Sequence, residues 1–122
     1  MAGRRLPAMG IEIKRVYDDA APGDGFRVLV DRIWPRGVAK DDAHADAWLK
    51  DVAPSTELRK WFGHDPERMD EFASRYRAEL DANDAVDELR DLARTHKTLT
   101  LLFSAKDPER NQARVLRDYL EG

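Results

Sequence analysis

Residues 98–108 read TLTLLFSAKDP, and this stretch decides the fold. Its first six residues, 98–103, form a short apolar run bounded by polar residues, which favours a buried β-strand. A helical pattern precedes the run. Asp107-Pro108 follows it as a helix start, with Asp as the N-cap and Pro in the first helical position. A strand between two helices is typical of a parallel sheet, so we expect 98–103 to be a central parallel strand.

The remaining elements extend this α/β pattern towards the N-terminus. Strand signals cover 11–17 and 26–30, a short edge strand is a possible assignment for 47–49, and 40–44 resembles a helical turn. Clear helix signals begin at Ser55, at Asp65-Pro66, at Asn83 and again near Pro108. The sequence therefore predicts a small, mainly parallel sheet of about three to four strands packed with about four to five helices. We expect residues 1–10 to be a flexible N-terminal extension and 11–122 to form a single compact domain.

Composition excludes several classes of function. The 122 residues contain no cysteine, which excludes a cysteine nucleophile, a thiolate metal site and an iron–sulfur cluster. The net charge of −3 provides no general attraction to nucleic acid or to a membrane surface. The basic residues at the start precede no apolar run of signal-peptide length, so we expect a cytoplasmic protein. The three histidines are widely separated, and we therefore predict no metal site.

Polar and basic side chains follow the two predicted central strands. Because ligands of parallel sheets bind at the carboxyl ends of the strands, these side chains are candidates for a site. The N-terminus of the helix near Pro108 would add free N–H groups, and arginine binds two oxygens of an anion at once. We therefore predict a pocket for a phosphate, sulfate or carboxylate. Its candidate ligand-binding residues are Arg32, Trp34, Arg36, Lys50, Ser104, Lys106 and Asn111.

Each of these residues also has a purely structural interpretation. Trp34 suits a packed corner better than a stacking surface, and Lys106 taken alone suits an exposed loop lysine. Asn111 in the first turn of the last helix could equally face solvent. Ser104 as a nucleophile and His64 as a general acid or base stay open, since neither stands in a recognisable catalytic motif. The argument for a site rests on the convergence of these residues, not on any one of them.

The sequence also resembles a known family. The blocks that carry the resemblance are Lys14–Asp18, Arg27–Arg32 with Trp34–Gly37, Trp48–Asp51, His64–Pro66 and Leu101–Asp107. Together they are similar to the YeaO-like proteins, a bacterial family with a domain of unknown function (number 488). The resemblance covers nearly the whole chain from Ile11 onward. It implies a small cytoplasmic α/β protein, and it implies no mechanism.

Two functions of different classes follow from these observations. In the first, the protein binds, or acts on, a small anionic ligand at the strand ends. In the second, it is a non-catalytic module that binds a protein or nucleic acid through a surface bearing Trp34, Trp48 and Trp61. We favour the first and expect neither a nucleic-acid nor a membrane partner. The sequence assigns no cofactor, no oligomeric state and no reaction.

Overall fold

A computed structural model describes residues 10–122 and shows a four-stranded, fully parallel sheet. The strands are β1 (Gly10–Arg15), β2 (Phe26–Leu29), β3 (Ala47–Trp48) and β4 (Thr98–Phe103). Their order in the sheet is β1-β4-β2-β3, so β4 lies between β1 and β2 and β3 forms one edge. The predicted α/β fold class, the central position of 98–103 and the short edge strand are therefore confirmed.

Five α-helices connect and cover the strands. They are α1 (Lys40–Ala43), α2 (Thr56–Phe62), α3 (Met69–Asp81), α4 (Ala85–Thr95) and α5 (Gln112–Glu121). Short 3-10 turns occupy Pro22–Asp24, Lys50–Val52 and Pro66–Arg68. The predicted N-cap of α2 is confirmed, because the Ser55 hydroxyl accepts a hydrogen bond from the Leu58 amide at 3.1 Å. None of the helices of residues 10–122 has the length and apolar character that a bilayer crossing requires.

The main core lies between the sheet and helices α2 to α5. From Leu99 to Phe103 every residue of β4 is buried, as the apolar run predicts. Tyr76 of α3 is fully buried and its hydroxyl donates to the carbonyl of Val52, so this ring is anchored as well as packed. A second, smaller apolar cluster forms on the other face of the sheet around Leu29 and Leu102.

The start of the last helix differs from the prediction. Asp107 does accept hydrogen bonds from the amides of Glu109 and Arg110, but the chain continues through bends and α5 begins only at Gln112. Asn111 is the N-cap, and its side chain accepts from the Arg114 amide at 2.9 Å. The predicted helix start near Pro108 was wrong because Asn111 provides the cap, and the Asp-Pro pair only stabilises a turn before it.

The predicted N-terminal extension can be compared with the structure at one position only. Residues 1–9 lie outside the described part of the chain. Gly10, assigned to the extension, is the first residue of β1 and pairs with Thr98 in the parallel register. The domain therefore includes Gly10.

The amino-terminal end of the sheet contains a compact charged cluster. Asp24 forms ion pairs with Arg27 and with Lys14, the latter at 3.1 Å. The guanidinium of Arg27, which is only 5% exposed, also donates to the carbonyls of Ala43 and His44. Burial alone would raise the pKa of Asp24, but hydrogen bonds from the Ala21 amide, Lys14 and Arg27 outweigh it and lower the pKa. Every charge of this cluster has a partner within the fold.

Candidate functional site

A pocket of about 280 Å³ opens at the opposite, carboxyl end of the strands. The segments after β2 and β4, helix α2 and the first residue of α5 surround it, as the strand-end rule for parallel sheets predicts. Its volume is close to the lower limit of small-molecule sites, about 300 Å³. The lining residues are Asp31, Arg32, Ile33, Trp34, Pro35, Arg36, Ala53, Pro54, Arg59, Phe62, His64, Phe72, Ser104, Ala105 and Gln112.

Asp31 is the buried polar group of this pocket. It is 7% exposed, and its two carboxylate oxygens accept from the Ser104 amide at 3.1 Å and from the Gln112 side-chain amide. Burial raises the pKa of the Asp31 carboxyl, and the hydrogen bonds from Ser104 and Gln112, together with the positive charge of Arg59, offset this shift only in part. Within residues 10–122, no cation forms an ion pair with Asp31. The two neutral donors thus hold the carboxyl in place without neutralising it.

Three arginines contribute positive charge to the lining. Arg32 is half-buried and donates to the carbonyls of Pro54 and Ala53 at 3.1 and 3.0 Å, which fixes its guanidinium at the wall. Arg36 and Arg59 are exposed, and within the described residues neither guanidinium donates a hydrogen bond or pairs with a carboxylate. An arginine has five N–H donors and binds carboxylate or phosphate oxygens in pairs. The pocket therefore offers two free guanidinium groups to an anion.

Apolar side chains form the rest of the pocket surface. The Phe62 and Phe72 rings stack with centroids 4.2 Å apart, and the half-buried Trp34 lines the pocket near them. The Trp34 indole donates to the Val38 carbonyl at 2.6 Å and meets the Trp48 ring edge-on at 5.3 Å. These contacts hold Trp34 in a packed corner of the fold, where it also lines the pocket. An occupant with an apolar body would bury that body against these rings.

His64 reaches the rim through an unusual backbone conformation. Gly63 ends α2 with φ at 54°, and His64 follows it with φ at 57°. Residues other than glycine adopt this left-handed region at a cost of about 1–2 kcal/mol. The two successive left-handed residues turn the chain sharply after α2, and His64 thereby becomes part of the lining.

The structure brings four of the seven predicted site residues together. Arg32, Trp34, Arg36 and Ser104 all line the pocket. The other three do not: Lys50 lies 5.7 Å from the centre of the Trp48 ring, and Lys106 is exposed outside the lining. Asn111 is fully buried outside the lining, and its side chain donates to the Asp107 carbonyl besides capping α5, so it serves the local structure and does not face the pocket. The shift of the helix start from Pro108 to Gln112 explains this change of role.

Eleven of the fifteen lining residues were absent from the predicted set, and three of these matter most for the charge and hydrogen bonding of the pocket: Asp31, Arg59 and Gln112. Asp31 stood beside the predicted site residues but looked like an ordinary charged residue at a strand end. Arg59 occupies the polar face of an amphipathic helix, and Gln112 is a neutral residue beyond the expected helix start. The available signal was the position of Asp31 directly after a strand that is apolar on both faces, which predicts a buried carboxyl.

Within the described part of the chain, no group of three or more histidine, aspartate or glutamate side chains is arranged to hold a metal ion.

The three tryptophans do not form one surface. Trp34 and Trp48 contact each other beside the pocket, whereas Trp61 of α2 packs under the guanidinium groups of Arg68 and Arg75, at 5.2 and 4.4 Å.

Fold and site together define a single-sheet, parallel α/β protein with a mixed cationic and apolar pocket at the strand ends. The sequence profile of DUF488-N3i, described as "Inactive DUF488-N3 subclade", matches residues 10–122. The chain belongs to this family, and among its relatives is the uncharacterized protein YeaO of Escherichia coli, 47% identical over 113 residues. That match covers 92% of this chain and 97% of YeaO.

Mycobacterial relatives are similar to the same extent. Uncharacterized proteins of Mycobacterium tuberculosis and Mycobacterium bovis are each 50% identical over 112 residues, which cover 92% of this chain and 94% of theirs. The expected resemblance to YeaO-like proteins is thus confirmed. No solved structure matches the chain.

Proposed function

We propose that the protein binds a small organic anion, bearing a carboxylate or phosphate, in the pocket at the carboxyl ends of β2 and β4. The observation that carries this proposal is the pair of guanidinium groups of Arg36 and Arg59, which line the pocket and have no partner within the described residues. Exposed charges without partners in a cleft attract and orient oppositely charged ligands.

The surroundings of these arginines support a bound molecule rather than a free ion. Phe62, Phe72 and Trp34 provide apolar area, while the Arg32 guanidinium is held in place by two backbone carbonyls. A few fixed polar groups among apolar walls are typical of small-molecule pockets. The α5 N-terminus at Gln112 adds a favourable field for negative charge.

The proposal is binding without a chemical step. The matching family is described as inactive, and among residues 10–122 no hydrogen bond joins the His64 side chain to a carboxylate that could act as a general base. A cytoplasmic location is part of the proposal, supported by the absence of cysteine. The −3 net charge supports a small-molecule ligand over nucleic acid.

A thermal-shift screen of phosphorylated and carboxylated metabolites tests the proposal. A ligand at about 100 times its Kd should add about 2.7 kcal/mol to the free energy of unfolding, which corresponds to a rise of several degrees in Tm. We expect Arg36→Ala and Arg59→Ala to remove the shift. Lys106→Ala and Lys60→Ala are matched controls, because each removes an exposed positive charge that follows a lining residue in the sequence but is itself outside the lining.

Either of two results would reject anion binding at this pocket: no anion shifts the wild-type Tm, or the shift survives in both arginine variants. If no anion binds while a protein partner protects Trp48 from a soluble quencher, the non-catalytic interaction module becomes the better account. Trp48 suits this readout because it is 39% exposed.

A further inference from the structure

The buried carboxyl of Asp31 restricts the chemical class of the ligand further than the arginines alone do. Asp31 lines the same pocket, yet it carries the opposite sign of charge to Arg36 and Arg59. A site built only for an anion would gain from a neutral residue at this position, because a buried negative charge repels the ligand. A carboxyl at this position is therefore favourable only if a positively charged group pairs with it.

Within residues 10–122, the fold itself does not provide that partner. One oxygen of Asp31 accepts from the Ser104 amide and the other from the Gln112 side chain. Ser104, through its amide and its side chain, and Gln112 provide the hydrogen bonds to Asp31, and a carboxylate that accepts about four retains capacity for a further donor. No cation of the described chain lies within ion-pair distance of either oxygen, although the residue is 7% exposed. By contrast, Asp24, the other largely buried acid discussed above, pairs with two cations.

We propose that the ligand of this pocket is bipolar: its anionic group binds Arg36 and Arg59, and an ammonium group on the same molecule donates to Asp31. This inference rests on the proposed function and specifies the class of molecule. The class comprises compounds in which a primary amine and a carboxylate or phosphate are joined by a short or apolar body. The rings of Phe62 and Phe72 pack against that body.

The charges of the lining agree with such a ligand. Arg32 keeps its donors on the backbone carbonyls of Ala53 and Pro54, which leaves Arg36 and Arg59 for the anionic end. An ammonium group offsets the cost of burying the Asp31 carboxylate, and a ligand without it leaves that cost in place. Burial raises the pKa of Asp31 even though Arg59 and the hydrogen bonds lower it, which agrees with a carboxyl that has no cation within ion-pair distance.

Matched pairs of compounds that differ only in the amine test this inference on the full chain by calorimetric titration. The pairs are phenylalanine and hydrocinnamate, leucine and isocaproate, and phosphoethanolamine and ethyl phosphate. In at least one pair we expect the amine-bearing member to bind wild type about tenfold more tightly or better, the ratio typical of a hydrogen bond between charged groups. Asp31→Asn should reduce that ratio to about one, because the amide removes the charge and keeps the shape.

The outcomes separate this inference from the function on which it rests. If both members of every binding pair bind wild type equally, and Arg36→Ala weakens both, the ligand is a plain anion: the bipolar assignment is overturned and anion binding stands. If no member of any pair binds, the bipolar assignment is overturned as well, and the wider anion screen alone then decides the proposed function. The comparison within wild type does not depend on the folding of any variant.

Discussion

Each end of the parallel sheet contains a largely buried aspartate and arginine side chains, but of these two aspartates only the one at the amino-terminal end forms an ion pair with an arginine of residues 10–122. At the amino-terminal end, Asp24 pairs with Lys14 and Arg27, and backbone carbonyls take the remaining donors of Arg27. At the carboxyl end, no cation of the described residues lies within ion-pair distance of Asp31, and Arg36 and Arg59 have no hydrogen-bond acceptor there. A fold loses stability when one partner of a buried charge pair is removed, whereas charges that are left unsatisfied around a pocket are available to a ligand.

The shifts of the two aspartate pKa values express this difference. The pKa of Asp24 is lowered, because the hydrogen bonds and ion pairs to its charged form outweigh burial. The pKa of Asp31 is raised, because burial outweighs the hydrogen bonds from Ser104 and Gln112 and the charge of Arg59. We therefore expect the charged cluster at the amino-terminal end of the sheet to affect stability, and the pocket at the carboxyl ends of the strands to affect ligand binding. The predictions below test that division, beginning with the largest effect.

Replacement of Asp24 by alanine should be strongly destabilising. The change leaves the buried Arg27 guanidinium without its counter-charge, and breaking a buried ion pair from one side costs about 3–5 kcal/mol. Urea denaturation should show this loss as a lower midpoint with an unchanged m-value. The matched control at the other end of the sheet is Asp107→Ala, which removes a half-buried acid and the hydrogen bonds of its turn. An Asp24→Ala loss no larger than that of the control would contradict the structural role of the cluster.

The pH dependence of stability should have opposite signs at the two ends. For Asp24, the folded pKa lies below the unfolded value of about 3.9, so its contribution is present above that pH and is lost as pH falls through the folded pKa. For Asp31, the folded pKa lies above about 3.9, so the folded state binds more protons in that interval and stability falls as pH rises through it.

Two conservative variants isolate these contributions. The free energy of unfolding that Asp24→Asn removes should increase as pH rises towards about 3.9. The free energy that Asp31→Asn removes should decrease as pH rises above that value, because only wild type then carries the unpaired buried charge. Denaturation curves measured across the acid range provide the comparison. Parallel pH profiles for the two variants would show that the ends of the sheet do not differ in this way.

Local patterns in the sequence were sufficient for most of the fold. The apolar run 98–103 predicts β4 without error, and the hydroxyl of Ser55 caps α2 as its position indicates. Both features depend on residues within a few positions of each other. The start of α5 was misplaced because two capping side chains, Asp107 and Asn111, compete within five residues and only the second is followed by helical backbone.

The location of the candidate site could be predicted from the sequence, but its complete set of lining residues could not. The strand-end rule located the pocket and four of its residues, since it needs only the strand ends and their order. The state of Asp31 depends on Gln112, which lies 81 positions along the chain, and on burial by helices whose packing is not a local property. For the same reason Lys50 and Lys106 looked equivalent to Arg36 in the sequence, although only Arg36 lines the pocket.

The smallest effect on stability is expected at the free arginines. Arg36 and Arg59 make no hydrogen bond or ion pair with residues 10–122, and both are exposed. Arg36→Ala and Arg59→Ala should therefore change the free energy of unfolding by no more than about 0.5 kcal/mol in the absence of ligand.

Arg32→Ala provides the contrast within the same pocket. Its guanidinium bonds to the carbonyls of Ala53 and Pro54, and both of these residues are buried. Loss of a partner to a buried polar group costs about 1–3 kcal/mol, so this variant should be measurably less stable than either of the other two. Equal losses for all three variants would mean that Arg36 and Arg59 have structural partners after all. A loss of stability confined to Arg32→Ala would show that Arg32 stabilises the pocket wall, whereas Arg36 and Arg59 are available to a ligand.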